Sequence, residues 1–294
     1  MHGSTSRPPG HSSPPDLLLL LLQARVLRLV LALEGAEAVF ASDADRVDLA
    51  AYVARRANNL VALARFSEAL PLAERAVQLA GDTADGAFFR LMHGKALMGL
   101  GRLREAEESL RIGADGWCAA ARRCPSPNRD ARPEAMPVEL IVVHGISLPP
   151  GEFGGPWIDA LFTNTLPADA HPYFRDIAAL RVSAHFLIRR DGALVQYVPC
   201  GERAWHAGAS QWRGRTRCND FSIGIELEGS DTTPYADAQY AVLAALIPAL
   251  RRACPQIGAE ALAGHCDIAP GRKTDPGPAF DWEKVIGGAQ QLMK

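Results

Sequence analysis

Histidine and carboxylate side chains that could hold a metal ion are concentrated in the second half of the chain. Five of the eight histidines lie between positions 144 and 265. His144 directly follows an apolar run, and the end of a buried strand would hold its side chain rigidly. His265 and Asp275 lie in one stretch rich in Pro and Gly that can fold back and bring them together. Catalytic zinc sites use such ligands and leave a fourth position open, although the spacing also allows hydrogen-bonded structural histidines.

An acid–base group is predicted nearby at Glu226, within Ile223-Gly-Ile-Glu-Leu-Glu-Gly229. Strand alternation places Gly224, Glu226 and Glu228 on one face of this run. A glutamate inside a buried strand is unusual unless it is paired or takes part in chemistry. A salt bridge to an arginine is the alternative. Lys273, two residues before Asp275, could place a cation beside whatever the metal holds.

The elements that would position these residues have the pattern of a sheet. Val138–Val143 is a continuous, largely β-branched apolar run, typical of a strand buried on both faces. Ser222–Leu227 has a similar pattern. Ala184–Arg190 and Ala193–Val198 flank Asp191-Gly192, which is a two-residue hairpin signal.

A helix is predicted over Thr233–Ala253, which Pro248 should kink or shorten. Strands and helices are mixed along this part of the chain and do not follow a strict βαβ alternation. Residues 137–294 are therefore predicted to form an α/β domain with a mixed central sheet and flanking helices.

The first part of the chain has a different composition. Residues 16–115 are rich in Ala, Leu, Arg and Glu and predict helices throughout. Leu63–Ala69 recurs 37 residues later as Leu100–Ala106, which resembles the helix–turn–helix unit of tetratricopeptide repeats. An unspecialised helical bundle is the alternative, because fewer than three units are visible.

The remaining segments are polar or carry a single apolar run. Residues 1–15 are predicted to be disordered, and residues 116–136 to be an extended arm or linker. The Leu17–Leu22 run favours a buried or interfacial helix over a signal peptide, and Arg25 and Arg28 disfavour a membrane span.

Composition limits the class of protein. The chain has 294 residues, 48% of them hydrophobic, and a net charge of −2. These values indicate a globular protein of about two domains and argue against one that binds nucleic acid, which usually has a basic excess. Six cysteines without a C-x-x-C pair favour a reduced, cytoplasmic setting.

Several motifs identify a family. The stretches VVHGISLPPGEFGGPWIDALF, HPYF, RVSAHFLIRRDGALVQYVP, RAWHAGAS, GRTRCNDFSIGIELEG and GHCDIAPGRKTDPGPAFDW resemble the type 2 N-acetylmuramoyl-L-alanine amidases, and among them the AmpD branch. The resemblance runs from about Gly116 to Trp282 and leaves out the helical N-terminal part.

The resemblance implies roles for individual residues. His144, His265 and Asp275 would bind one zinc ion, Glu226 would be the catalytic acid/base, and Lys273 would assist as a cation. The same resemblance implies that Arg181 and Arg272 grip the acidic stem peptide and that Trp205 forms a wall for the sugar or peptide. His185 and His206 are rival ligands for which structural roles are the better prediction.

Two positions bear on the branch and on substrate affinity. Asp275 favours the AmpD branch, because related amidases often have Cys there. Gly145 stands where that branch commonly has Asn, so one substrate hydrogen bond is expected to be missing.

The implied function is cleavage of the amide between the lactyl group of 1,6-anhydro-N-acetylmuramic acid and L-Ala, in cytoplasmic peptidoglycan recycling. Three alternatives stay open at this point. They are a periplasmic amidase on intact peptidoglycan, a module that binds muropeptide without cutting it, and a protein whose N-terminal helices recruit the amidase to a protein partner.

Overall fold

The structure is a computed structural model of the chain and describes residues 43–80, 86–134 and 136–285. The chain divides into two compact units, residues 1–46 and 47–294, and nearly all described residues lie in the second. The segment predicted to be disordered and the Leu17–Leu22 run lie outside the described residues. Within the described ranges, no helix combines the length and the apolar character needed to cross a bilayer.

In the described residues, four helices precede the sheet, and over this part they confirm the predicted helical N-terminal segment. Small residues on their buried sides, among them Ala57 and Ala73, let the helix backbones approach closely. Their bounds are α1 (Asp43–Ala62), α2 (Phe66–Ala80), α3 (Gly86–Gly99) and α4 (Leu103–Ser109).

The sequence repeat corresponds to two similar turns between helices. Arg65 pairs with Glu68 after the first turn, and Arg102 pairs with Glu105 after the second, each through two hydrogen bonds of 2.6–2.8 Å. Each turn also contains a residue with positive φ, Ala64 in the first and Gly101 in the second. The described segment therefore has two helix–turn–helix units, while its tetratricopeptide-like character stays a prediction.

A six-stranded mixed sheet forms the centre of the molecule, as the sequence predicts. In chain order the strands of the described residues are β1 (Arg122–Arg123), β2 (Arg129–Ala131), β3 (Leu140–Ile146), β4 (Phe186–Ile188), β5 (Leu194–Gln196), β6 (Glu202–Ala204), β7 (Gln211–Trp212), β8 (Arg215–Thr216), β9 (Ser222–Glu228) and β10 (Leu262–Gly264). The strands of the central sheet run in the order β1, β5, β4, β9, β3, β10. The pair β4 and β5 is antiparallel and the other neighbours are parallel.

The hairpin predicted at Asp191-Gly192 is confirmed. Strands β4 and β5 pair in antiparallel fashion across this turn. Gly192 has a φ of +78°, a conformation that glycine adopts without a steric penalty. The side chain of Asp191 accepts a hydrogen bond from the amide of Ala193 at 2.8 Å.

Within the described part of the chain, four more helices flank the sheet. They are α5 (Trp157–Phe162), α6 (Phe174–Ile177), α7 (Asp237–Ala253) and α8 (His265–Ile268). Helix α7 continues through Pro248 to Ala253, so this proline does not shorten the helix, and the predicted alternative of a kink stays a prediction. The apolar face of α7, with Leu243, Leu246 and Leu250 fully buried, packs into the main core and holds the helix together on both sides of the proline.

The arm of residues 116–136 is attached to the sheet. Strand β1 adds to the edge of β5, and β2 pairs with β6. Asn128 is buried and donates to the carbonyl of Val182 at 2.8 Å. Arg132 is mostly buried and donates to the carbonyls of Asn219, Asp220, Cys200 and Ser222. The extended arm therefore ties strand ends together. The division of the chain into domains at residues 115 and 136 stays a prediction.

The core continues from the helices into the sheet. One apolar cluster contains Ala57 and Leu91 from the helical segment, Ile141 and Ile223 from the sheet, and Leu243 from α7. Lys95 of α3 is only 6% exposed and donates to the carbonyl of Asp191 in the β4–β5 turn at 2.8 Å. Burial lowers the Lys95 pKa to about 8.

Candidate active site

The parallel strands β3, β9 and β10 place the predicted site residues at one edge of the sheet. His144 on β3 lies opposite Glu226 on β9. Gly264, the last residue of β10, pairs with Val143, so His265 follows at the level of His144. The carboxyl ends of parallel strands meet at one edge of a sheet, where open α/β sheets bind ligands.

The side chains of His144, His265 and Asp275 converge on one point. The Nδ1 atoms of the two histidines are 2.9 Å apart, and Oδ2 of Asp275 lies 3.3 Å from His144 Nδ1 and 3.1 Å from His265 Nδ1. Ligand atoms bound about 2.0–2.1 Å from a tetrahedral zinc ion lie about 3.3 Å apart. The three donor atoms therefore fit a zinc ion, and the structure identifies the same three residues as a candidate metal-binding group.

Burial sets the charge of this group. It lowers the pKa of His144 to about 4, so the imidazole is neutral near pH 7 and has a lone pair to offer. Burial acts to raise the pKa of Asp275, but contacts with the two histidines outweigh it and hold the pKa below its usual range. A divalent cation bound by two imidazole nitrogens and one carboxylate would keep one net positive charge.

The ring of His265 is oriented by backbone and by Arg272. Its Nε2 faces the carbonyl of Ala207 at 3.4 Å. Arg272 donates to the carbonyls of Ala207 and Ala209, each at 2.7 Å. Nη2 of Arg272 also lies 3.4 Å from Nε2 of His265. Binding of a metal through Nδ1 requires the His265 proton on Nε2, where the Ala207 carbonyl can accept it.

Glu226 has an unsatisfied carboxylate oxygen. Its Oε2 is buried and has no hydrogen-bond partner in the described part of the chain. Burial raises the pKa of Glu226 well above its usual value, the charge of Asp275 raises it further, and Lys273 acts in the opposite direction. A carboxyl group with a raised pKa can carry a proton near neutral pH. The alternative of a salt bridge to arginine is not observed among the described residues.

A cavity of about 580 Å³ opens over these residues. Apolar side chains that line it include Tyr173, Ile177 and Leu180, of which Tyr173 and Leu180 are exposed. Of the predicted site residues, the cavity brings together His144, His265, Asp275, Glu226, Lys273 and Trp205.

Arg181 and Arg272 are placed differently. Within the described residues, neither side chain lines this cavity. Arg181 is exposed and donates to the carbonyls of Ala179 and Leu180, whereas Arg272 supports the segment beside His265. Their roles in binding substrate therefore stay predictions.

The rival ligands His185 and His206 lie outside the three-residue metal group. His185 Nδ1 accepts a hydrogen bond from the amide of Gly224 at 3.1 Å, and its Nε2 lies 3.1 Å from the carbonyl of Glu202. His206 Nδ1 lies 2.9 Å from Nε2 of His144, on the side away from the metal group. Burial lowers the pKa of both histidines well below the usual value.

Gly145 is explained by a residue that the sequence did not single out. A Cβ atom at position 145 would lie 2.3 Å from the hydroxyl oxygen of Tyr235. That hydroxyl donates to the carbonyl of Pro276 at 2.9 Å, next to Asp275. Tyr235 thus occupies the space that a side chain at 145 would need, and it supports the segment that carries Asp275. Its place in a Pro-Tyr step after a turn gives no signal of this contact.

Comparison with known proteins agrees with this geometry. A family model described as N-acetylmuramoyl-L-alanine amidase matches residues 134–278. A protein of Escherichia coli (strain K12), 1,6-anhydro-N-acetylmuramyl-L-alanine amidase AmpD, is 67% identical over 169 residues, which are 58% of this chain and 92% of that protein. AmpD of Haemophilus influenzae is 47% identical over 60% of this chain and 95% of its own length.

A solved structure is also similar to this chain in fold and sequence. The crystal structure of a selenomethionine derivative of AmpD has a TM-score of 0.58 and 64% sequence identity. The match covers 59% of this chain and 97% of that chain. About two-fifths of the present chain lies outside these matches.

Proposed function

Because the chain belongs to the family of N-acetylmuramoyl-L-alanine amidases, we propose that it cleaves 1,6-anhydro-muropeptides with the help of a zinc ion. The bond is the amide between the lactyl group of 1,6-anhydro-N-acetylmuramic acid and L-Ala of the stem peptide. The names of the AmpD relatives support this substrate class.

One observation carries the proposal. Three donor atoms, from His144, His265 and Asp275, lie 2.9–3.3 Å from one another, at the mouth of a cavity that Glu226 also lines. When both Nδ1 atoms are unprotonated, three acceptor atoms at this spacing repel one another, and a cation between them removes the repulsion. Their number and type match zinc sites that hydrolyse amides and keep one position open.

His144, His265 and Asp275 would hold the zinc ion, which would supply Lewis-acid chemistry toward water and the amide carbonyl. Glu226 takes the proton from the attacking water at Oε2 and delivers it to the leaving L-Ala nitrogen. The raised pKa of this carboxyl group suits both halves of the transfer. Lys273, which lines the same cavity, donates to the carbonyl oxygen as negative charge develops there. One such donor is worth about 2.7–4 kcal/mol of transition-state stabilisation.

The cavity also suggests how the substrate is held. Trp205 lines it, and its indole nitrogen is fixed by a hydrogen bond to Asp130 at 3.1 Å. A fixed aromatic wall suits a sugar ring or a peptide backbone. Arg181 lies between Leu180 and Val182, which both line the cavity, and an exposed guanidinium there can turn toward an acidic stem peptide. Arg272 is a second proposed contact with the stem.

The proposed setting is the cytoplasm. All six cysteines lie in the described residues and are free, which agrees with a reducing compartment. Cell fractionation tests this part, and recovery of the mature protein from the periplasm would contradict it.

For the helical segment, residues 16–115, we propose a role in binding a protein partner. The two equivalent turns each present an exposed leucine, Leu63 at 67% and Leu100 at 39% exposure. Co-purification with the full chain should lose a specific partner when both are changed to Glu. A partner that is retained equally by the double variant would contradict this role.

The test of the main proposal compares two substrates. Soluble 1,6-anhydro-muropeptide and insoluble peptidoglycan sacculi are incubated with the full chain, and released stem peptides are measured by mass spectrometry. We expect cleavage of the soluble substrate that chelation removes and zinc restores. Faster release from sacculi would instead favour an amidase on intact peptidoglycan. Binding of the muropeptide without any cleavage would favour a sensor.

A further inference from the structure

His206 lies between a proposed metal ligand and a buried serine. Its Nδ1 is 2.9 Å from Nε2 of His144, and its Nε2 is 3.1 Å from Oγ of Ser222. Ser222 is fully buried, and its hydroxyl donates to the carbonyl of Cys218 at 2.5 Å. A continuous line of hydrogen bonds therefore runs from the metal group through two imidazoles to the backbone.

The direction of every bond in this line follows from its far end. Ser222 has one hydroxyl proton, and it donates that proton in a hydrogen bond to the Cys218 carbonyl. Its Oγ can therefore only accept a hydrogen bond from His206. His206 then carries its proton on Nε2, and its Nδ1 is an acceptor. The nearest donor for that acceptor is Nε2–H of His144, which leaves Nδ1 of His144 unprotonated.

The near end requires the same arrangement. His144 points Nδ1 at His265 and Asp275, and an imidazole that binds a metal through Nδ1 must carry its proton on Nε2. That proton needs an acceptor in a buried place, and Nδ1 of His206 is the only one that the described residues offer to it. The two ends of the line agree on one tautomer for each ring.

The ring of His206 has little freedom to leave this position. A Cβ atom on Gly224 would lie 2.4 Å from the His206 ring, so the ring packs directly on the backbone of β9. The amides of His206 and Ala207 both donate to the side chain of Asn219, at 3.1 and 2.7 Å. Contacts with Gly224 and Asn219 therefore fix both the ring and the backbone of His206.

We propose that His206 and Ser222 are positioning residues that hold His144 as the Nε2–H tautomer and so reserve its Nδ1 for the metal. The inference rests on the proposed zinc site. In this proposal His206 accepts the Nε2–H of His144, just as the Ala207 carbonyl accepts the Nε2–H of His265. Partners of this kind typically change metal affinity 10- to 100-fold when they are lost.

The first test reads the tautomers directly. The zinc-loaded full chain, labelled with ¹⁵N in its histidines, is studied by long-range ¹H–¹⁵N NMR correlation, with His206→Asn used to assign the signals. We expect His206 to carry its proton on Nε2 and its Nδ1 to have the shift of an unprotonated acceptor. A protonated Nδ1 on His206 would overturn the proposal, whatever the variants show.

The second test separates the acceptor from the ring. His206→Phe keeps an aromatic ring but removes the acceptor, and should weaken zinc binding about 10- to 100-fold in competition with a chelator. His206→Asn places its amide oxygen the same number of bonds from Cβ as Nδ1 and should restore most of the affinity. Ser222→Ala, which removes the bond that selects the tautomer of His206, should weaken binding less than His206→Phe.

His185→Asn is the matched control. This buried ring lies 5.9 Å from that of His206. It is within hydrogen-bond distance of Gly224, Glu202 and Arg132 rather than of His144. We expect the zinc affinity of this variant to stay within about threefold of the wild type, against the 10- to 100-fold change expected for His206→Phe.

Equal affinities for wild type and a folded His206→Phe would overturn the proposal, as would equal losses in the Phe and Asn variants. The proposed function fails in a different way, namely if the wild-type chain itself binds no zinc.

Discussion

His144 and Glu226 lie directly opposite each other on the adjacent parallel strands β3 and β9. One supplies a donor atom to the candidate metal group, and the other supplies a buried carboxyl oxygen without a partner in the described residues. Sheet hydrogen bonds fix the separation of the two backbones at these positions, and both residues are buried. The proposed acid/base group and the proposed metal are thus held at a constant distance.

Replacing Glu226 by Gln should remove proton transfer and leave the metal site intact. We expect kcat on soluble anhydro-muropeptide to fall about 100- to 10,000-fold, because an amide can neither accept the water proton nor deliver one. Zinc content, measured by atomic emission, should equal that of the wild type. Turnover within a few-fold of the wild type would show that Glu226 is not the acid/base group.

Removal of the metal should abolish turnover and lower stability. A ligand present at 100 times its dissociation constant stabilises the folded state by about 2.7 kcal/mol, so zinc should raise the thermal midpoint of the chelated protein. Asp275→Ala removes one of the three donors, and zinc should no longer raise its midpoint. An equal increase in both proteins would place the bound zinc elsewhere.

A side chain at position 145 should conflict with Tyr235. Gly145→Ala places a methyl group against the tyrosine hydroxyl, and overpacking of this kind costs about 1–3 kcal/mol in free energy of unfolding. Tyr235→Phe removes the obstructing oxygen together with its bond to Pro276. The double variant should therefore lose less stability than the two single variants summed, as measured by urea unfolding. Strict additivity would contradict the contact.

Lys95 should make stability depend on alkaline pH. Its folded pKa of about 8 lies below the ordinary value of 10.5, so above pH 8 the unfolded chain binds more protons at this residue than the folded chain does. Stability then rises with pH in that window. Relative to Lys95→Met, the wild type should gain about 2 kcal/mol in free energy of unfolding between pH 7 and pH 9.5.

The control for that experiment is Lys284→Met. Lys284 lies on the surface and pairs with Asp237, an interaction that raises its pKa. Because its titration lies above pH 9.5, the difference between wild type and Lys284→Met should not change in the same window. A flat difference for Lys95→Met as well would mean that the lysine is not buried as a cation.

The sequence was sufficient to predict those elements that a local pattern of side-chain types determines. The apolar run ending at Val143 and the Asp191-Gly192 turn have clear periodic or turn signals, and both are confirmed. The placement of His144, His265 and Asp275 in the sequence made them candidates, the family resemblance implied their joint role, and the structure brings the three side chains together.

Other features depend on contacts between distant parts of the chain. Strands β1 and β2 are two and three residues long, too short for any periodic pattern. Arg132 bonds to carbonyls 68 to 90 positions away, and backbone acceptors leave no mark in a sequence. The passage of α7 through Pro248 likewise depends on the core that surrounds that helix.

The ends of the central sheet have a consequence for the protein in crowded solution. One outer strand, β1, has two residues, both arginines, and the other, β10, has three. Unpaired backbone along an outer strand is where a second chain can add and where aggregates begin, and short or charged edges resist this. The arm that carries β1 therefore also protects the sheet from edge-to-edge association, because without β1 the strand β5 would become the outer strand.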